Sequence, residues 1–218
     1  MSDSCSSKPV ASGCGCGAEV KFDGATPAYR RALAWVIAIN LVGFIVVLVG
    51  GLLQGSASLS ANALDFLADS VTYVISLWAI GRSVRVRTGA ALFKGASLGA
   101  VALSVVGFAL WRTFNGAPPS GEAISGLGLF GALANLVAAG LLVRYRDGDA
   151  NVRSVWLCTR NDLIECLGVA VTGVLVWLTG SRWPDLIVGV LLAGVFLSSA
   201  YQIIRQALDE HRADLATS

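Results

Sequence analysis

Charge is scarce in this 218-residue chain: Asp, Glu, Lys and Arg make up 14% of it, against about 25% in an ordinary soluble domain. That deficit excludes a water-soluble globule, and with it a disordered polymer, a coiled coil, a disulfide scaffold and a soluble nucleic-acid binder. The period-2 polar alternation of a β-barrel is also absent. So are the G-x-x-x-x-G-K-[ST] phosphate loop, the H-E-x-x-H zinc helix and the G-x-S-x-G nucleophile turn. Nothing in the sequence therefore supports ATP hydrolysis or an enzyme. The stretches between the apolar runs are too short to build a soluble domain, and the first run is too long and too far into the chain for a cleaved signal peptide.

What remains is oil: 55% of the residues are apolar and the mean hydropathy is +0.70. Six apolar segments stand out, at residues 32–53, 57–81, 89–111, 124–143, 154–179 and 185–204. Each is long enough to cross a hydrocarbon core of ~30 Å at about 1.5 Å per residue. Lipid offers the backbone no hydrogen bonds, so each should be an α-helix. The expected fold class is an all-α membrane protein, a six-transmembrane-helix bundle over residues 30–206. A Cys-containing tail (residues 1–29) precedes it and a short tail (residues 207–218) follows. With the N-terminus inside, twelve of the sixteen Lys and Arg fall on the inner side and two outside. The positive-inside rule then places both termini in the cytoplasm. The expected location is a bacterial inner membrane.

Within these segments the informative residues are the ionisable ones. The second holds Asp65 and Asp69, the fifth Cys158, Asp162 and Glu165. A central Asp costs about 2.5–3.5 kcal/mol on insertion, so this pair alone imposes roughly 5–7 kcal/mol. Asp65 and Asp69 are one turn apart on one helix face, as are Cys158 and Asp162, and Glu165 continues the second face. Carboxyl groups crowded into a dry site repel each other, and a divalent cation relieves that repulsion. Two ligands from each of two helices suit Zn²⁺ or a similar transition metal. When the ion leaves, protons can take its place. The other reading is structural: Arg160 and Lys94 could each neutralise one carboxyl. Two cations do not balance four carboxyls, and pairing leaves the two i, i+4 arrangements unexplained. Asn62, one turn before Asp65, reads as an accessory or entry residue; Asn40 and Asn135 read as interhelical hydrogen-bond glue.

The second segment, Ser60-Ala61-Asn62-Ala63-Leu64-Asp65-Phe66-Leu67-Ala68-Asp69, and the fifth, with Cys158 and Asp162 ahead of Leu167-Gly168-Val169 and Leu178-Thr179-Gly180, resemble the cation diffusion facilitator family of divalent-metal/proton antiporters. The resemblance covers most of the chain. It implies metal ligation by Asp65, Asp69, Cys158 and Asp162, with Cys158 where the family normally has His. A thiol softens the site toward Zn²⁺, Cd²⁺ or Cu⁺, while the carboxyls still admit Co²⁺ or Fe²⁺. The family's usual cytosolic C-terminal domain has no counterpart in this sequence, which reads as a short form, so the homodimer that the resemblance implies has less support here. The expected partners are the metal ion, protons and the lipid bilayer, with no nucleic acid and no resident cofactor. Cys5, Cys14 and Cys16 in the tail read either as a soft-metal capture arm or as plain polar tail, and His211 as a solvated residue. The competing function is a membrane protein that binds metal, or pairs its carboxyls, without transporting.

Overall fold

The computed structural model describes residues 26–79, 118–147 and 150–217, with scattered positions between 96 and 116. Five long helices lie in these stretches: α1 (Pro27–Gln54), α2 (Ala57–Ala79), α3 (Gly121–Leu142), α4 (Ala150–Thr179) and α5 (Trp183–Thr217). They correspond to the first, second, fourth, fifth and sixth apolar segments. The third segment is helical at its described positions between 96 and 111, but most of it lies outside the described residues. So do Lys94 and the tail cysteines Cys5, Cys14 and Cys16.

Local chemistry sets the helix ends. Thr26 caps α1 with its side chain and Pro27 starts the helix, where its missing N–H is no loss. Gly55 ends α1 in the left-handed region (φ 64), and its N–H and that of Ser56 return to the last turn of α1. Ser120 caps α3 by accepting from the Ala123 N–H at 3.3 Å. Past Ile204, where the expected span stops, α5 continues to Thr217 rather than fraying into a tail. Residues 205–217 hold no Gly or Pro and are rich in Ala, Leu and Arg, so nothing in them breaks a helix.

α1, α3, α4 and α5 each contain a stretch long and apolar enough to cross a membrane. α2 has the length, but Asn62, Asp65, Asp69 and its serines dilute its hydropathy. It is instead the helix most enclosed by protein, with residues 56–64 all buried. Polarity is inverted relative to a soluble protein. Asn40, Ser58, Ser60, Asn62, Asn135 and Thr172 are buried, while Trp35, Leu53, Leu133, Ile164, Trp177 and Leu191 face outward. α2 packs on α1 and α5 and, over a shorter stretch, on α4; α3 packs along α4.

The α3–α4 contact depends on small residues, because lipid-embedded helices associate through close backbone approach. A Cβ on Gly121 would lie 2.5 Å from the Gly173 carbonyl oxygen, and one on Gly128 would lie 2.6 Å from the Ala170 nitrogen. A Cβ on Gly173 would collide with the Ser125 backbone nitrogen. Backbone cannot yield as a flexible side chain can. Gly173→Val should therefore push α3 from α4 and cost about 3 kcal/mol or more, read as a lower thermal unfolding midpoint in detergent. Gly168, on the same helix, has open space beside it. Gly168→Ala should leave the midpoint unchanged or raise it.

Candidate functional site

Two apolar clusters bracket a polar layer. One gathers Tyr29, Leu33, Val36, Tyr73, Leu142 and Val155; the other gathers Val47, Leu59, Phe66, Ile124, Cys166 and Val169. Along α2 Asp69 falls between Phe66 and Tyr73, and along α4 Asp162 falls between Val155 and Cys166. The layer is thus closed toward both ends of these helices by packed side chains.

Within the layer the two helices bring their carboxyls together. Asp65, Asp69 and Asp162 are close enough to interact with one another. Asp69 and Asp162 are 9% and 8% exposed, and Asp65 is partly buried. The Tyr73 hydroxyl, one turn along α2, donates to Asp69 Oδ2 at 2.6 Å and sits 3.1 Å from the Thr159 hydroxyl on α4. Thr159 in turn donates to the Val155 carbonyl at 3.0 Å. Asp162 Oδ2 and Glu165 Oε1 are buried without a hydrogen-bond partner among the described residues. Glu165 lies near Asn62 and Asp65.

Cys158 differs from the three aspartates. It sits one turn from Asp162 and close enough to interact with it, yet it is exposed. Among the described residues, no three His, Cys, Asp or Glu side chains converge as a ready-made metal-ligand set. Arg160 does not serve the aspartates. It is exposed, lies 5.5 Å over the Trp156 ring and donates to Asn161 Oδ1 at 3.3 Å.

The asparagines divide. Asn135 on α3 donates to Cys166 Sγ on α4 at 3.4 Å, an interhelical bond of the expected kind. Asn40 bonds the Val36 carbonyl of its own helix at 3.0 Å, which corrects its reading as interhelical glue. A side chain one turn from a backbone acceptor satisfies itself locally when no partner faces it.

Two residues escape sequence reasoning. Asp185, 3% exposed at the start of α5, accepts from the Ser56 hydroxyl (2.6 Å), the Ala57 N–H (2.7 Å), the Ser58 N–H (3.1 Å) and the Ser58 hydroxyl (2.5 Å). It caps α2 from another helix. α2 has no acidic residue in its own first turn, which is the one hint that a negative group comes from elsewhere. The other is Cys166, fully buried and one turn beyond Asp162. Extending the Cys158–Asp162 spacing by four would have found it.

Residues 33–210 match the cation efflux transmembrane domain. The chain is 25% identical over 193 residues to the zinc transporter ZitB of Escherichia coli (strain K12), covering 83% of this chain and 62% of that protein. It is 22% identical over 185 residues to the cadmium, cobalt and zinc/H(+)-K(+) antiporter of Bacillus subtilis (strain 168), covering 78% of this chain and 60% of the other. The metal cation efflux system protein CzcD of Cupriavidus metallidurans (strain ATCC 43123 / DSM 2839 / NBRC 102507 / CH34) is 26% identical over 197 residues, with 83% and 61% covered. The chain thus spans about three fifths of the length of these relatives.

Proposed function

Because the chain belongs to the cation efflux (cation diffusion facilitator) family, we propose that it exports a divalent transition-metal ion from the cytoplasm in exchange for protons. It does so as a six-helix bundle with both termini inside, in a bacterial inner membrane. Zn²⁺ is the first substrate on this reading, with Cd²⁺, Co²⁺ and Fe²⁺ as related ones. The ligands are Asp65 and Asp69 of α2 and Asp162 of α4, with Cys158 completing the set from the cytoplasmic side. The observation behind this reading is the mutual approach of three aspartates from two helices in a layer where Arg160 offers no counter-charge.

The chemistry follows from that approach. Carboxyl groups this close repel each other unless one of them holds a proton. A divalent cation supplies the same neutralisation with more charge, so ion and protons compete for one set of oxygens. Ion entry requires the aspartates to gather around a shared centre. The apolar clusters on either side keep the layer from opening to both faces at once, as exchange requires. Rocking of helices about this layer would alternate its access.

The test is flux in proteoliposomes loaded with a metal-sensitive dye and a pH dye. A Zn²⁺ gradient should drive Zn²⁺ across with a proton movement of opposite direction, and an imposed pH gradient should drive Zn²⁺ uphill. Zn²⁺ movement without coupled protons would remove the exchange; no movement of Zn²⁺, Cd²⁺ or Co²⁺ would remove transport.

A further inference from the structure

Beyond the aspartate layer, toward the α1–α2 turn, a second polar group is buried among α2, α3 and α4. Asn62 Nδ2 lies 3.2 Å and Asn135 Nδ2 3.4 Å from Cys166 Sγ, and the thiol is 3.7 Å from Asn62 Oδ1. Asn62, Asn135 and Cys166 are each 1% exposed or less. Gly131 leaves the space they occupy: a Cβ there would lie 3.0 Å from Cys166 Sγ and 3.4 Å from Asn62 Oδ1. Glu165, on the same turn of α4 as Cys166, lies near Asn62.

Two acceptors of this group, Asn135 Oδ1 and Glu165 Oε1, are buried with no hydrogen-bond partner among the described residues. Turning the Asn135 amide over would only exchange which of its polar atoms is left alone. An unsatisfied buried acceptor is costly, and such atoms in native proteins call for a missing partner. Here the partner must satisfy oxygens and a sulfur together, from three helices. A soft or borderline divalent cation does that, while a hard ion such as Mg²⁺ does not bind sulfur.

We infer that Cys166, Glu165 and the amide oxygens of Asn62 and Asn135 form a second cation station, selective for a soft divalent ion, one turn from the aspartates. On binding, the Cys166 S–H bond breaks as the metal–sulfur bond forms, and the proton is released to water. One thiolate, one carboxyl and two neutral amides bring less negative charge to the ion than three aspartates do. That suits a relay, since an ion in transit must leave each station as readily as it enters. The relay role rests on the transport reading; the binding site itself does not.

The experiment uses the full chain in detergent with Cys5, Cys14, Cys16 and Cys158 replaced by Ser, so that Cys166 is the only thiol. Cd²⁺ is titrated and the thiolate-to-Cd²⁺ charge-transfer absorption is followed in the ultraviolet. The expected result is a saturable band at one Cd²⁺ per chain. It should vanish in Cys166→Ser, weaken by about 10-fold or more in affinity in Asn135→Ala and in Glu165→Gln, and persist in Asp69→Asn with Asp162→Asn. Thermal unfolding of each variant verifies that it is folded. No band from the folded Cys166-only chain overturns the station, leaving a packed, inert thiol. A band indifferent to both Asn135→Ala and Glu165→Gln overturns it too, because the thiol then acts alone. Flux of Cd²⁺ without this band would defeat the station and spare transport; the band without flux of any metal would do the reverse.

Discussion

Replacing Asp69 and Asp162 together by alanine should reduce metal flux in proteoliposomes by about 100-fold or more, to the level of protein-free vesicles. Loss of a residue that merely orients a metal ligand costs roughly 10–100-fold in affinity, and here two proposed ligands go at once. The result is interpretable because the same change should not harm insertion. Each central Asp opposes membrane insertion by about 2.5–3.5 kcal/mol, so the alanine helices enter lipid more readily than the originals. Tyr73, which donates to Asp69 at 2.6 Å, keeps Thr159 within 3.1 Å. Expression and thermal midpoint should therefore be unchanged or raised while flux disappears. That combination separates function from structural pairing: if the carboxyls served only the fold, flux would survive or stability would fall with it. Asp65→Asn tests the third member and should lower flux while preserving side-chain shape.

Asp185→Ala should produce the opposite pattern, a large loss of stability. Four hydrogen atoms point at this one carboxyl, two from the backbone at the start of α2 and two from serine hydroxyls. All four donors are buried, and each buried donor left unmade costs about 1–3 kcal/mol. The hydroxyls can turn elsewhere, and Ser56 Oγ already accepts the Leu59 N–H at 3.2 Å. The Ala57 and Ser58 N–H groups cannot. The expected cost is about 3 kcal/mol or more, seen as a lowered unfolding midpoint. Asp185→Asn, which keeps one acceptor oxygen, should recover part of it. Because this carboxyl joins the start of α5 to the start of α2, its loss should also loosen the register of Asp65 and Asp69 against α4. Flux should fall together with stability, and stabilising conditions should restore both.

The candidate site was largely legible before folding because helix periodicity is an arithmetic property of the chain. Spacings of four residues put Asp65 with Asp69 and Cys158 with Asp162 on common faces whatever surrounds them, and the charge deficit alone required lipid. Other features were not legible because they depend on what faces a residue across a gap. Asn40 and Asn135 are alike in sequence context, each a lone amide in an apolar helix, yet one bonds its own backbone and the other reaches Cys166. Cys158 and Cys166 look equivalent by spacing; the first is exposed and the second sealed. The cap on α2 comes from a residue 129 positions away from Ser56, a distance over which no local pattern operates.

Composition and periodicity were thus sufficient for the solvent of this protein, its helical character and the helix faces that carry its acids. All of these follow from the free-energy cost of placing each residue type in oil or water, one segment at a time. Which acids meet, which cysteine is shut away and which carboxyl holds the start of α2 were decided by packing alone. Those outcomes depend on distances between helices, and α2, the one of the five without a stretch apolar enough to cross a membrane, is enclosed only because its neighbours surround it.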